Sequence, residues 1–308
     1  MIRLQFCDKP EAEREKIVNE YYNCNIRNRA KRKIAKLEEW CEKYLQNVKQ
    51  SDGSLPKSYN FRGVVEALPK ELMSMKEHID NHPNSAHMMK ELKGQGAKAR
   101  CYISDTLYGD RRREARKMII ESLSVTVCPY CNRNYVFSKE NVDTCELDHY
   151  IPKGKYPIFA ISFYNLIPCC PICNRKKGEE QFDFYPHDKD SRDNEIRFTY
   201  HLKGVDYSED ASLVVVKIQS SEKLKNQIEV LKLDKIYKHH NDIVFEIIKK
   251  YHVFNKAYCN SLYHEFSDLF ASEEEVTQMI FGTQEKKKYG LRPLSKMITE
   301  ILKEIENM

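Results

Sequence analysis

The sequence lacks long apolar runs. None of its apolar stretches approaches the ~18 consecutive residues that a membrane-spanning helix requires. The first residues, Met1 to Phe6, are followed by Asp8, Lys9 and Pro10, and they do not contain the apolar core of a secretory leader. We therefore expect a soluble, cytoplasmic protein that has no membrane partner.

A large excess of one charge is also missing. The chain has 51 basic and 46 acidic side chains, which gives a formal net charge of +5 at pH 7. A surface of mixed charges has no general attraction for polyanions, so a nucleic-acid site has to be a local cluster. The sequence also shows no phosphate-binding P-loop, because Gly94-Gln95-Gly96 is not followed by the required Gly-Lys-Ser/Thr.

The chain does contain enough apolar material for an ordinary core, since 41% of its residues are hydrophobic. Apolar residues recur at helical spacing over 11–50 and over 60–125, with a break at His82-Pro83-Asn84. A clean apolar stripe from Leu294 to Ile305 predicts a last helix. Most of the chain is therefore predicted to be helical.

Two β-strands are predicted after the middle of the chain, at Arg197–His201 and Leu213–Gln219. Together with the helices they indicate an α+β protein that is mostly α-helical. We predict three regions: a helical N-terminal region (1–115), a central module (116–190), and a C-terminal region of two short strands followed by helices (191–308).

The cysteines are the most informative residues. There are 11 of them, an odd number, and without a secretory leader they are not expected to form a disulfide framework. Five are isolated in the sequence: Cys7, Cys24, Cys41, Cys101 and Cys259. The other six lie between Cys128 and Cys173.

A six-residue motif occurs twice within that segment. Cys128-Pro129-Tyr130-Cys131-Asn132-Arg133 recurs as Cys170-Pro171-Ile172-Cys173-Asn174-Arg175. A tight C-x-x-C turn presents two thiolates, so two such turns supply the four soft ligands that Zn²⁺ favours. We predict one structural zinc per chain, held by Cys128, Cys131, Cys170 and Cys173. Cys169 is a competing ligand, although the exact match of the motif favours Cys170, and Cys145 is predicted to be a bystander.

The segment between the two motifs resembles a known family. It contains Asp148-His149 with a following Pro152, then Asn165-Leu166, and Asn174 and Lys177 follow the second cysteine pair. This order and spacing are similar to those of the HNH (ββα-metal) endonucleases. The resemblance covers about 50 of the 308 residues, and it implies a zinc-stapled ββα module between the helical N- and C-terminal regions.

The resemblance also implies a role for each motif residue in phosphodiester hydrolysis. His149 is expected to be the general base, and Asp148 and Asn174 are expected to bind a catalytic Mg²⁺ or Mn²⁺ through oxygen. Asn165 is expected to hold the loop and orient His149. Asn174 has an alternative role as a helix N-cap. The candidates for phosphate contacts are Lys153, Lys155, Arg175, Lys176 and Lys177.

The longer run from Leu147 to Lys177 is similar to HNH nucleases of bacterial antiphage systems, including Septu-type systems. This narrower resemblance implies a DNA endonuclease, with double-stranded DNA as substrate and a separate ATPase subunit as partner. The alternative is a zinc-stabilised nucleic-acid-binding or regulatory subunit without catalysis. His187, near the module in sequence, receives no role.

Overall fold

A computed structural model describes residues 1–25, 31–92, 112–139, 142–191, 195–207 and 209–307. The chain divides into two compact units. The first, here called the hairpin unit, comprises Arg3–Val125 and Val136–Ser191. The second, the C-terminal unit, comprises Met1–Ile2, Thr126–Tyr135 and Arg192–Met308. The three-region division made from the sequence stays a prediction.

The N-terminal part of the hairpin unit is helical, as predicted. Its helices are α1 (Glu11–Asn25), α2 (Lys31–Tyr44), α3 (Phe61–Glu66), α4 (Pro69–Asn81), α5 (Ser85–Leu92) and α6 (Arg112–Leu123). Pro69 occupies the first turn of α4, where its missing N–H costs nothing. The chain leaves α4 at His82, directly before Pro83, so the predicted break is confirmed. Gly94–Gly96 lie outside the described residues.

Two short antiparallel hairpins follow. In the first, β1 (Ser138–Lys139) pairs with β2 (Val142–Asp143). In the second, β3 (Glu146–His149) pairs with β4 (Leu166–Cys169), so that His149 lies opposite Leu166. Helix α7 (Pro171–Lys177) comes directly after β4 and ends at Gly178, whose φ of +55° favours glycine. The module is therefore a β-hairpin followed by a helix of two turns.

An aromatic cluster packs the loop before β4 against the N-terminal helices. The ring of Phe163 lies 5.0 Å from Phe6 and 5.3 Å from Tyr21, measured between centroids. The Tyr21 hydroxyl also donates a hydrogen bond of 2.9 Å to the carbonyl of Ile161. Aromatic pairs at this spacing add to the stability gained from their buried area. The helices thus provide the support on which the β3–β4 connection rests.

The C-terminal unit contains the third antiparallel hairpin, β5 (Ile196–Leu202) with β6 (Val214–Ser220), which confirms both predicted strands. Its helices are α8 (Glu222–Leu231), α9 (Leu233–Tyr237), α10 (Asn241–Val253), α11 (Lys256–Glu265), α12 (Glu273–Phe281) and α13 (Ser295–Glu306). The apolar stripe of α13 is buried, which confirms the predicted last helix. Among the described residues, no helix is both long and apolar enough to cross a bilayer.

His187, left without a role by the sequence, is completely buried in the hairpin unit. Its Nε2 donates a hydrogen bond of 3.0 Å to the carbonyl of Leu166, the residue opposite His149. Its Nδ1 has no hydrogen-bond partner in the described part of the chain. Burial lowers the pKa of His187 from 6.5 to about 4, so the imidazole is neutral and supports the start of β4.

This burial predicts a pH-dependent stability. Between pH 6.5 and about 4 the unfolded chain binds a proton at His187 that the folded chain does not bind. The free energy of unfolding therefore decreases by up to about 3 kcal/mol as the pH is lowered through this range. His187→Gln keeps a donor for Leu166 but does not titrate. Urea unfolding across this range is expected to show a flatter pH dependence for the variant. If wild type and His187→Gln lose the same free energy of unfolding as the pH is lowered, the prediction is wrong.

Candidate functional site

The four predicted zinc ligands come together. The thiol sulfurs of Cys128, Cys131, Cys170 and Cys173 all lie within 4.8 Å of one another, and all four residues are buried. Four thiolates around one Zn²⁺ are about 3.8 Å apart when each Zn–S bond is near 2.3 Å, so the cluster fits a tetrahedral site. Such a site offers no open position for a substrate.

The two neighbouring cysteines are excluded from this cluster. Cys145 and Cys169 are both buried, and neither belongs to the group of four. Burial raises the pKa of Cys145 to about 12, and it raises the pKa of Cys169 well above its usual value. Both are therefore neutral thiols at physiological pH. The group of four contains Cys170 and does not contain Cys169.

The first copy of the motif has a structural role in the C-terminal unit. Asn132 is fully buried and has a φ of +49°. Its amide nitrogen donates 2.8 Å to the carbonyl of Tyr289, and its amide oxygen accepts a hydrogen bond of 3.1 Å from the backbone of Lys296. The backbone carbonyl of Asn132 accepts a further hydrogen bond from Leu294. This asparagine therefore organises the first turn of α13.

His149, the expected base, ends β3 and is only 7% exposed. Its Nε2 lies 3.0 Å from the carbonyl oxygen of Ala160. Because a carbonyl only accepts, Nε2 carries the hydrogen, and in the neutral ring the lone pair belongs to Nδ1. The tautomer of His149 is thus determined by one backbone contact in the loop between β3 and β4.

Asn165 forms several hydrogen bonds within that loop. Its amide oxygen accepts from the backbone N–H of Ile151 at 2.7 Å, and its amide nitrogen donates to the carbonyls of Ile151 and Phe159. The backbone carbonyl of Asn165 also accepts from Tyr150. Both ends of the loop are therefore tied to one fully buried side chain.

Asp148 and Lys177 form a buried ion pair. The Lys177 Nζ lies 3.1 and 3.2 Å from the two carboxylate oxygens of Asp148 and donates 3.0 Å to the carbonyl of His149. Lys177 is 1% exposed and Asp148 is 3% exposed. Lys177 was expected to contact phosphates, but the structure buries its ammonium group against Asp148. Its position at the end of the short helix α7 turns its side chain toward β3 instead of solvent.

Asn174 lies in the first turn of α7, and it is not the N-cap. The N-cap is Cys170, whose carbonyl accepts the first helical hydrogen bond from the backbone of Asn174. The Asn174 side chain donates 2.7 Å from Nδ2 to a carboxylate oxygen of Glu146. The sequence interpretation missed Glu146, although residues two apart on a strand share a face, which places it beside Asp148.

The remaining phosphate-contact candidates lie nearer the surface. Lys155 and Arg175 are exposed, whereas Lys153 and Lys176 are half-buried. The Arg175 Nε lies 3.3 Å from the carbonyl of Pro171, one turn earlier in α7. These four side chains offer positive charge at the hairpin and the helix, and Lys177 does not.

Comparison with known proteins agrees with this geometry. A family model described as HNH endonuclease matches residues 128–180, from the first cysteine of the cluster to just beyond α7. Residues 128–180 are an HNH endonuclease domain. The HNH match contains all four clustered cysteines together with Asp148, His149, Asn165 and Asn174.

A curated relative extends the HNH similarity. The chain is 30% identical over 112 residues to a Bacillus thuringiensis protein named Septu protein PtuB. The aligned part is 35% of this chain and 42% of that protein, so less than half of the relative's length is covered. No solved structure matches the chain significantly.

The cysteine cluster of the HNH domain predicts a defined zinc content. Purified protein is expected to contain one zinc per chain, and Cys173→Ser is expected to lose both the zinc and the fold of the module, because structural zinc contributes folding energy. Cys145→Ser is the matched control, since this thiol is buried nearby but lies outside the cluster. Elemental analysis checks this: zinc-free soluble wild type, or zinc loss in the control, contradicts the assignment.

The ion pair of the HNH domain predicts a large effect on stability. Lys177→Met leaves the Asp148 carboxylate buried without this cation, which is expected to cost about 3–5 kcal/mol in urea unfolding. Adding Asp148→Asn should recover part of that loss, because no buried charge remains. Arg175→Met, exposed on the same helix, should stay within about 0.5 kcal/mol of wild type. If Lys177→Met has the same free energy of unfolding as wild type, the ion pair does not have the stabilising role assigned to it.

Proposed function

We propose that this chain is a metal-dependent endonuclease that hydrolyses phosphodiester bonds of DNA. The observation that carries the proposal is the geometry of His149, whose tautomer is set by the carbonyl of Ala160. The neighbouring strand residue, Asp148, is a carboxylate on the other face of β3. Neither residue type is needed for a module that only binds nucleic acid.

His149 is the general base of the proposed reaction. A neutral imidazole takes a proton from water near pH 7, and Nδ1 is the atom that carries the lone pair. The Asn165 hydrogen bonds hold the loop that presents the Ala160 carbonyl. Asn165 thus acts on His149 through the loop and does not contact the substrate.

Asp148 and Asn174 are the proposed ligands of a catalytic Mg²⁺ or Mn²⁺. Both provide oxygen, and hard cations prefer oxygen donors. Lys177 does not prevent this, because a carboxylate has about four lone-pair positions and can accept from an ammonium while it binds a cation. When bound, the cation supplies charge neutralisation at the scissile phosphate and the leaving 3′ oxygen. The residues therefore fit the metal.

Lys153, Lys155, Arg175 and Lys176 are the proposed contacts to the phosphates of double-stranded DNA. They lie on the connection after β3 and on α7, and none is fully buried. Contacts of this kind fix the position of the duplex without reading its sequence. Lys177 is reassigned: it orients Asp148 instead of contacting a phosphate.

The biological role we propose is the effector nuclease of a bacterial antiphage system. Support comes from the HNH domain together with the similarity to a protein named as a Septu component. An ATPase in a separate chain is the proposed partner. A regulatory or binding subunit without catalysis is the alternative, and a cleavage assay separates the two.

The assay uses supercoiled plasmid with Mg²⁺, with and without proteins co-purified from the native host. Wild type is expected to nick or linearise the plasmid, and His149→Ala is expected to reduce the rate by about 100-fold or more because the base is lost. His201→Ala, an exposed histidine on β5, is the control and should cut like wild type. No cleavage under any condition, or a fully active His149→Ala, contradicts the proposal and favours the non-catalytic alternative.

A further inference from the structure

Neither the motif nor the comparisons assign a role to Glu146, a carboxylate that contacts the proposed metal ligand Asn174. We propose that Glu146 is a positioning residue, which holds the Asn174 amide so that its oxygen is the atom available to the catalytic cation. The inference rests on the function proposed above, since it assigns a residue that prepares one of the proposed metal ligands.

The direction of one hydrogen bond is the first support. The Asn174 Nδ2 donates to Glu146 Oε2 at 2.7 Å, and a carboxylate can only accept. The amide nitrogen is therefore committed to Glu146. Among the described residues, no donor reaches the Asn174 Oδ1. An amide whose nitrogen is held and whose oxygen has no protein partner is prepared to bind a hard cation.

The position of Glu146 is the second support. Glu146 and Asp148 are two residues apart on β3, so their side chains leave the same face of the strand. Glu146 pairs with Cys169 on β4, and Cys169 directly precedes Cys170, the N-cap of α7. The Glu146–Asn174 bond therefore joins this face of the strand to the first turn of the helix. It connects the elements that carry the two proposed metal ligands.

The charges around the two carboxylates differ. Lys177 neutralises Asp148 in a buried ion pair. Within the described ranges, Glu146 has no basic partner and is half-buried. The pair of carboxylates with one lysine therefore has a net charge of −1. A residual negative charge beside an amide oxygen favours a divalent cation over an additional protein cation.

The duplicated motif provides an internal comparison. Asn132 occupies the position equivalent to Asn174, but both atoms of its amide are used by the C-terminal unit, at Tyr289 and Lys296. An asparagine at this position of the motif thus has no fixed side-chain orientation of its own. In the second copy the orientation is provided by Glu146, which has no equivalent at the first copy.

The test measures Mn²⁺ binding by calorimetry or by electron paramagnetic resonance. It uses the full zinc-loaded chain with His149→Ala, so that activity does not enter the readout. Glu146→Ala is expected to weaken Mn²⁺ binding about 10- to 100-fold, whereas Glu146→Gln, whose oxygen still accepts from Asn174, should stay within about threefold. Glu180→Ala removes an exposed carboxylate just after α7 and is the control for loss of charge alone.

The outcomes separate this inference from the proposed function. Asp148→Asn keeps the size of the ligand and should lose most of the Mn²⁺ affinity. If it does not, the metal site itself is wrong. If Asp148→Asn loses binding but Glu146→Ala does not, only the role of Glu146 is overturned. If Glu146→Gln is as weak as Glu146→Ala, the negative charge of Glu146 supports the cation and its hydrogen bond to Asn174 does not, so the positioning role is also overturned. Thermal unfolding of each variant shows that it is folded.

Discussion

The arrangement of the candidate site in the HNH domain depends on the buried ion pair between Lys177 and Asp148. Transferring an ammonium and a carboxylate from water to a site almost without solvent costs several kcal/mol per ion. Here the cost is offset by a contact of the ammonium with both carboxylate oxygens and by a hydrogen bond to the carbonyl of His149. The end of α7 is thereby tied to the end of β3. A rotation of the helix would separate these charges, so the pair helps to hold α7, which carries Asn174, against the strand that carries Asp148.

The loop between β3 and β4 adds a second constraint on the same strand. Asn165 uses both atoms of its amide to hold the loop, and the loop in turn places the Ala160 carbonyl against His149. Asn165 can in this way influence the tautomer of His149 without contacting it directly. In the proposed function, a base whose orientation is fixed before the substrate binds loses little free energy to reorganisation. The same loop rests on the aromatic cluster around Phe163, so the helices of the hairpin unit also contribute to the site.

The repeated motif shows how one local sequence acquires two uses. Both copies bring two thiols to the cysteine cluster through the same C-P-x-C turn. Beyond the turn they differ, because Asn132 is fully buried and organises α13, whereas Asn174 is partly exposed and contacts Glu146. The turn geometry is local, but the partners of each asparagine come from other parts of the chain.

Features set by local spacing could be predicted from the sequence alone. Two matching C-P-x-C turns predicted the cluster of four cysteines, because thiolate chemistry and tight-turn geometry leave few other uses for such pairs. Alternating and helical periodicity likewise determined β5, β6 and α13. The position of Asp148 and His149 on opposite faces of one strand also followed from the sequence, since adjacent strand residues face opposite sides.

Only the tertiary structure showed the contacts of Lys177 and Glu146. A helix as short as α7 has too few residues for periodicity to show which face is buried, so Lys177 resembled a solvated phosphate contact until its packing on β3 was known. Glu146 carries no motif signal, and its meaning comes from a hydrogen bond to a residue 28 positions away. Contacts between distant segments depend on how the elements pack, and packing is a property of the whole unit that no local pattern contains.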